Sequence, residues 1–211
     1  MSTLDEQIQA YERLYATTPL PMVKRLPLKL LSEEDTFCRL AANYKLLVRE
    51  RGHEAIMDDH TVSKLKSVAK WLFCSQKSGL LLCGTLGNGK STMLQSIYRL
   101  FRKSSAAMGD AQDIYFFYKE NQCTLKYWNE PLLLIDDLGV EPARCITYGE
   151  ESYPMSRLLL NRYDKRLTTI IATNLSYDAI QERYGDRVVD RMIETYDAIK
   201  YEAESYRRWN H

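Results

Sequence analysis

The sequence contains no long apolar run, and its longest uninterrupted apolar stretches, such as Leu132 to Ile135, have only four or five residues. A helix needs about 20 mostly apolar residues to cross a bilayer, so we expect no membrane-spanning helix. The N-terminus, MSTLDEQIQAYERL, is acidic and amphipathic, and it lacks the basic start, apolar stretch and cleavage site of a secretory signal. These absences predict a cytoplasmic protein without a membrane partner.

Metal-binding and disulfide patterns are also missing. The cysteines are scattered singly, and they form no CxxC pair and have no histidine at ligand spacing. They are Cys38, Cys74, Cys83, Cys123 and Cys145. The sequence therefore indicates neither a zinc module nor a disulfide framework, and free buried thiols are the better interpretation. The charge is nearly balanced, with 29 basic and 28 acidic residues. Without a basic excess, any contact with nucleic acid has to be local.

The composition is that of a globular protein, with 45% apolar and 27% charged residues in a chain of 211. Helical spacing of apolar residues predicts a first helix over residues 2–16, followed by a proline-containing linker. A second helix is predicted after Ser32, which with Asp35 resembles a capping box, and it ends before Gly52. A third is predicted over about 62–76. Two alternatives stay open: these helices form a partner-binding arm, or they pack against the domain that follows.

From Leu80 onward, short apolar runs alternate with longer helical segments, a pattern typical of a parallel sheet flanked by helices. Strands are predicted at residues 80–83, 113–118, 132–136, 168–173 and 198–202. The sequence thus predicts an α/β fold with a central parallel five-stranded sheet. We divide the chain into a short helical N-terminal arm over residues 1–60 and an αβ domain over residues 61–211.

The predicted strand at Leu80 to Cys83 runs directly into a full match to the pattern G-x-x-x-x-G-K-[ST]. The candidate phosphate-binding residues are Gly84, Thr85, Leu86, Gly87, Asn88, Gly89, Lys90, Ser91 and Thr92. Free backbone N–H groups and the positive end of the following helix attract a polyphosphate, and glycines let the backbone approach it closely. Lys90 can reach the β and γ phosphates, and the Ser91 hydroxyl can ligate Mg²⁺. This strand, loop and helix together predict binding of ATP with Mg²⁺.

Two consecutive aspartates, Asp136 and Asp137, lie at the carboxyl end of the predicted strand over residues 132–136, where ligands bind in open αβ sheets. Asp136 is the candidate for the metal side of the site. Asp137 is the candidate that orients the attacking water. The alternative is that the two aspartates only start a turn with Leu138 and Gly139.

Two further polar positions are candidates for catalysis. Asn174 follows the predicted strand at residues 168–173 and can face the γ phosphate, although a lone asparagine is more often a turn residue. Arg187 and Arg191 are four residues apart, so they share one face of a helix. One of them can stabilise transition-state charge in a neighbouring subunit, and the alternative is that both are solvated surface arginines.

The motifs GTLGNGKST, LLLIDDLGVE, TTIIATNLS and YGDRVVDRM occur in this order and resemble the AAA+ ATPases of the DnaC/DnaI helicase-loader group and the related IstB transposition helper. The likeness covers about residues 65–208. It implies a P-loop NTPase domain with a three-layer αβα sandwich and no C-terminal helical lid. It also implies that Asp136 and Asp137 are the Walker B acids, that Asn174 is sensor 1 and that Arg187 is an arginine finger acting in trans, with Arg191 as the reserve candidate.

Members of this group load a hexameric, DnaB-like replicative DNA helicase onto single-stranded DNA, and they self-associate in the ATP-bound state. The resemblance therefore implies a helicase partner and nearby DNA. Residues 119–130 are shorter than the helix-bearing insertion that loaders use near DNA. The candidate DNA contacts are the Lys126 to Trp128 segment, by base stacking, and a basic face of Arg99, Arg102 and Lys103. Core aromatics and solvated surface charges are the respective alternatives.

Asp137 is shorter than the glutamate typical of AAA+ proteins, which predicts a slow, switch-like ATPase. Three functions stay open. The first is an ATP-dependent helicase loader or replication accessory protein. The second is an IstB-like helper of DNA transposition, and the third is a nucleotide-sensing adaptor with little hydrolysis.

Overall fold

The computed structural model describes residues 32–201 except residues 86, 104–105, 122–128 and 148. The described strands are β1 (Gly79–Gly84), β2 (Ala106–Asp110), β3 (Leu132–Leu138), β4 (Cys145–Thr147), β5 (Glu150–Ser152), β6 (Thr168–Thr173) and β7 (Tyr196–Tyr201). The described helices are α1 (Glu33–Glu50), α2 (Asp59–Cys74), α3 (Lys90–Phe101), α4 (Ala111–Glu120), α5 (Pro154–Asp164), α6 (Tyr177–Tyr184) and α7 (Asp186–Thr195).

Five strands form one parallel sheet in the order β2-β3-β6-β1-β7, and β4 and β5 form a separate antiparallel hairpin. Both faces of the sheet are covered, so its central strands are almost continuously apolar rather than alternating. Along β1, Leu80 and Leu82 pack with α1, α2 and α3, whereas Leu81 packs on the opposite face with α4 to α7. The predicted α/β fold with helices on both sides of a five-stranded parallel sheet is confirmed.

Helices α1 and α2 begin where the sequence provides caps. Ser32 Oγ accepts a hydrogen bond from the Asp35 N–H at 3.0 Å, as the capping pattern predicts. Asp58 does the same for Thr61 at 2.7 Å, so the third predicted helix begins at Asp59, three residues earlier than expected. The buried face of α1, including Leu40, lies in the same apolar cluster as the sheet. Helix α1 therefore packs against the sheet domain, which was one of the two alternatives. The division of the chain at residue 60 stays a prediction.

The strand predicted at residues 113–118 is wrong, because these residues belong to helix α4. The aromatic sequence IYFFY favours a strand by propensity. However, Asp110 accepts a hydrogen bond from the Gln112 N–H at 2.8 Å and caps a helix, which buries Ile114 and Tyr118 on one side. The second strand of the sheet is instead β2, whose sequence AAMGD has few residues that favour a strand.

The β4–β5 hairpin was not predicted. It follows β3 and is held against α4 by Cys145, which is buried with Tyr115 and Tyr118. Ile146 on the hairpin is largely exposed.

Several predictions fall on residues outside those that the structure describes. They are the helix over residues 2–16, the phosphate contact by Leu86, the stacking segment Lys126 to Trp128, and the expected absence of a lid after β7. Among the described helices, none combines the length and apolarity that a membrane span requires.

Candidate nucleotide-binding site

The loop between β1 and α3 depends on glycine at two close approaches. Gly84 has φ of 141°, and a Cβ there would lie 2.1 Å from the carbonyl oxygen of Tyr201. Gly89 has φ of 87°, and its Cβ would lie 2.8 Å from the hydroxyl of Tyr44. A larger residue would be strained by its backbone angle and would also collide with β7 or α1. These glycines let the loop bend tightly over the start of α3.

Lys90, the first residue of α3, is buried against this loop. Its Nζ donates to the carbonyls of Gly84 at 2.8 Å and Thr85 at 2.6 Å, and to Asn88 Oδ1 at 3.2 Å. Asn88 Nδ2 in turn donates to the Tyr201 carbonyl at 2.7 Å, which ties the loop to the end of β7. The ammonium group is thus held at the loop by uncharged oxygens, where it can attract an anion.

Ser91 and Asp136 meet at the carboxyl end of the sheet. The Ser91 hydroxyl donates to Asp136 Oδ1 at 3.0 Å. Burial raises the pKa of the Asp136 carboxyl above its ordinary value, and the nearby Asp137 and Asp110 also raise it, whereas the hydrogen bond from Ser91 lowers it. These oxygens fit the ligands that Mg²⁺ prefers, and a cation here would offset the repulsion among the carboxylates.

Asp137 takes up a constrained position next to this pair. Its φ is 49°, and its N–H donates to Asp136 Oδ1 at 3.1 Å. The Val140 N–H donates to the Asp137 carbonyl at 3.2 Å, so Asp137 does start a turn, as the alternative interpretation predicted. It also lines a cleft with Gly87, Lys90 and Ser91. Asp137 therefore both begins a turn and lines the cleft.

The cleft has a volume of about 450 Å³ and lies between the glycine loop and α1. Its lining includes the predicted residues Gly87, Gly89, Lys90, Ser91, Thr92, Asp137 and Asn174. The opposite wall is formed by Tyr44 and Val48 of α1, by Arg51 directly after this helix, and by the segment His53 to Ile56. The sequence did not predict this wall, because the cap at Ser32 indicates that α1 forms but not which element the helix faces.

The two candidate arginines lie on α7 and are not among the described residues that line the cleft. The Arg191 guanidinium lies 4.8 Å from the centre of the Tyr163 ring and 3.4 Å from a Glu194 oxygen. Arg187 is exposed, and no described residue forms an ion pair with it. The structure therefore brings Lys90, Ser91, Asp136, Asp137 and Asn174 to one end of the sheet and leaves Arg187 on the surface.

The basic face proposed as a DNA contact is only partly free. Arg99 forms an ion pair with Glu50 at the end of α1. Arg102 and Lys103 are exposed beyond the end of α3. The pairing of Arg99 reduces the positive charge that this face presents.

Glu141 is a buried charged residue that the sequence analysis did not single out. Its carboxylate accepts from the Gly139 N–H at 2.9 Å and from the Tyr184 hydroxyl at 2.5 Å, and Arg183 donates to its carbonyl oxygen. Burial, together with the Glu141 charge, raises the pKa of Tyr184 well above its usual range. Glu141 therefore anchors the turn after Asp137 to the end of α6, just before α7.

Replacing Glu141 by alanine should lower the free energy of unfolding by about 2–4 kcal/mol, since it leaves the buried Tyr184 hydroxyl and the half-buried Gly139 N–H without this acceptor. Urea unfolding measures the change. The matched control is Glu151→Ala, which breaks an exposed ion pair with Arg144 and should change stability by less than about 0.5 kcal/mol. Equal effects of the two substitutions would show that the Glu141 network contributes little.

No protein-family model matches the sequence, and no curated protein sequence matches it either. The fold does resemble solved structures. A crystal structure of DnaI matches with a TM-score of 0.54 and 18% identity, over 72% of this chain and 86% of that one. AMPPCP-bound DnaA from Aquifex aeolicus matches with a TM-score of 0.54 and 18% identity, over 74% of this chain and 50% of that one.

A third structure, a DNA replication initiation factor, matches with a TM-score of 0.51 and 17% identity, over 71% of this chain and 48% of that one. The chain thus spans about half the length of the DnaA and initiation-factor chains and most of the DnaI chain. At these identities the likeness establishes the architecture, which also agrees with the strand order and the loop between β1 and α3. The chain shares with these structures an α/β fold built on a central five-stranded parallel sheet.

Proposed function

We propose that the chain binds ATP with Mg²⁺ in the cleft beside the glycine loop and hydrolyses it. The observation that carries this proposal is the 3.0 Å contact between Ser91 Oγ and Asp136 Oδ1, directly beside the buried Lys90. Ser91 and Asp136 would hold Mg²⁺, which neutralises phosphate charge when bound. The likeness to the AMPPCP-bound DnaA supports a nucleotide as the ligand.

In this proposal the residues at the cleft have different roles in binding and hydrolysis. Lys90 and the loop N–H groups hold the phosphates, Asp137 orients the attacking water, and Asn174 contacts the γ phosphate or that water. Asp137 and Asn174 line the same cleft as the loop, which supports these roles. The short Asp137 side chain and its constrained backbone favour slow turnover.

We propose that a second subunit supplies an arginine to the ATP site. Arg187 lies outside the cleft of its own chain and is exposed, so its guanidinium is available to another molecule. We propose that Arg187 enters the ATP site of a neighbouring subunit and stabilises transition-state charge there. ATP then links one subunit to the next, and self-association accompanies the ATP-bound state.

We further propose that this ATPase is a cytoplasmic replication accessory protein that loads or regulates a hexameric, DnaB-like helicase on single-stranded DNA. Two observations support the choice. The four ordered motifs resemble the DnaC/DnaI group, and the fold matches 86% of a DnaI chain. The helicase partner and any contact with DNA rest on this proposal alone.

A pull-down from the native host in the presence of ATP tests the partner. We expect the tagged chain to capture the replicative helicase with ATP and to lose it with Lys90→Ala, because only the ATP-bound state presents the assembled surface. Recovery of a transposase without the helicase would contradict this choice and favour the IstB-like alternative. Capture that is the same for both variants would show that nucleotide does not control the interaction.

A further inference from the structure

Arg51 lies at the end of α1 and extends to the first turns of α3. Its Nη1 donates to Thr92 Oγ1 at 2.7 Å, and its Nη2 donates to Gln95 Oε1 at 2.7 Å. Thr92 is only 7% exposed, so this contact places a cation against a buried polar residue of α3. The side chain also lines the cleft.

The position of Arg51 within the cleft indicates which part of a ligand it meets. Thr92 follows Ser91 directly and lies in the first turn of α3, where the positive end of the helix attracts phosphate. On the α1 side, Val48, Ala55 and Ile56 give the wall apolar character suited to a nucleoside. Arg51 thus lies between the turn that carries Lys90 and Ser91 and the apolar wall.

Glu50, which precedes Arg51 in the chain, forms its ion pair with Arg99 rather than with Arg51. The hydrogen bond from Arg99 is the main cause that lowers the pKa of Glu50, and the Arg51 charge makes a smaller contribution. The acidic residue on the cleft wall is Glu54, which is three positions further along the chain. A guanidinium has five N–H donors in a planar fork that matches a phosphate group, and the contacts with Thr92 and Gln95 use two of them.

We infer that Arg51 binds the inner phosphate of a nucleotide in the cleft of its own chain, so that this wall selects nucleoside phosphates over nucleosides. The inference rests on the proposed ATP-binding function. Lys90 and Ser91 serve the outer phosphates, whereas Arg51 serves the phosphate next to the ribose. A nucleotide bound in this way adds a further link between α1 and α3, which are already in contact.

The test compares the affinities of Arg51→Ala and Arg51→Lys for ATP, ADP, AMP and adenosine, by competition with a fluorescent ATP analogue. We expect Arg51→Ala to weaken ATP, ADP and AMP by the same factor, roughly tenfold, and to leave adenosine unchanged. Arg51→Lys, which keeps the charge without the fork, should give an intermediate loss. Thermal unfolding of each variant reports whether it is folded.

Arg99→Ala is the matched control, because it breaks the neighbouring link between α1 and α3, and Arg99 is not among the described residues that line the cleft. It should leave every nucleotide affinity unchanged and alter the melting temperature only slightly, because the Arg99–Glu50 pair is exposed to solvent. If Arg99→Ala weakens ATP as much as Arg51→Ala, or if adenosine is affected as strongly as ATP, Arg51 is only a link between helices. If the unsubstituted chain binds none of the four ligands, the proposed function itself is wrong.

Discussion

Replacing Lys90 by alanine is expected to weaken ATP binding by at least a factor of about 100 and to abolish turnover. Lys90 is buried at the glycine loop, and in the described structure uncharged oxygens of Gly84, Thr85 and Asn88 hold its Nζ. Loss of this ammonium group removes the positive charge closest to the outer phosphates, in a site where partial burial strengthens electrostatic attraction. Isothermal titration calorimetry with ATP and Mg²⁺ measures the affinity.

Lys77→Ala is the control for the general loss of a lysine. Lys77 is partly exposed and lies 3.6 Å from Asp197, at the opposite end of β1 from the glycine loop. Its replacement should leave ATP affinity unchanged within about twofold, because Lys77 lies at the far end of β1 and its charge is screened by solvent. If Lys90→Ala, shown to be folded by circular dichroism, binds ATP as tightly as Lys77→Ala, the cleft is not the nucleotide site.

Replacing Arg187 by alanine is expected to lower ATP turnover by a factor of about 1,000 while ATP affinity changes by less than about threefold. Arg187 does not line the cleft of its own chain, so it has no direct contact with the nucleotide bound there. Its proposed contribution arises only when a neighbouring subunit presents it in the transition state. Steady-state turnover and equilibrium binding of the same preparation separate the two quantities.

Arg191→Ala serves as the comparison on the same helix. Arg191 lies over the Tyr163 ring and close to Glu194, contacts that hold it to its own chain. We therefore expect its replacement to reduce turnover far less than Arg187→Ala does. A large loss with Arg191→Ala and a small one with Arg187→Ala would transfer the role to Arg191, and equal loss of binding and turnover would contradict a finger acting in trans.

The buried strands and the glycine loop could be predicted because their signals are local. Leu132 to Ile135 is apolar at every position, which is what a strand covered on both faces requires. The loop pattern fixes its own conformation through its glycines. Asp136 could also be placed, since parallel strands end at the same edge of a sheet.

The segment at residues 113–118 could not be predicted in the same way, because propensity and capping disagree there. Its aromatic residues favour a strand, whereas the Asp110 cap and the buried positions Ile114 and Tyr118 require a helix. In β2, the small residues Ala106 and Ala107 give no strand signal of their own. Pairing with β3 decides the structure of that segment.

The missed parts of the site depend on contacts between residues far apart in the chain. Arg51 meets Thr92 across 41 positions, and Tyr184 meets Glu141 across 43. No spacing or motif in the sequence predicts the contact within either pair. Only the docking of α1 on α3, and of α6 on the turn after β3, brings these side chains together.

The most direct test of a site shared between subunits is to mix two inactive variants, Asp137→Asn and Arg187→Ala, and to measure ATP turnover. Asp137→Asn keeps Arg187, and asparagine tolerates the φ of 49° at this position. Arg187→Ala keeps the entire cleft. In an equal mixture, about a quarter of the interfaces combine an intact cleft with an intact Arg187, so turnover should recover to roughly that fraction of the unsubstituted level. A mixture as inactive as each variant alone would contradict a site completed by the neighbouring subunit.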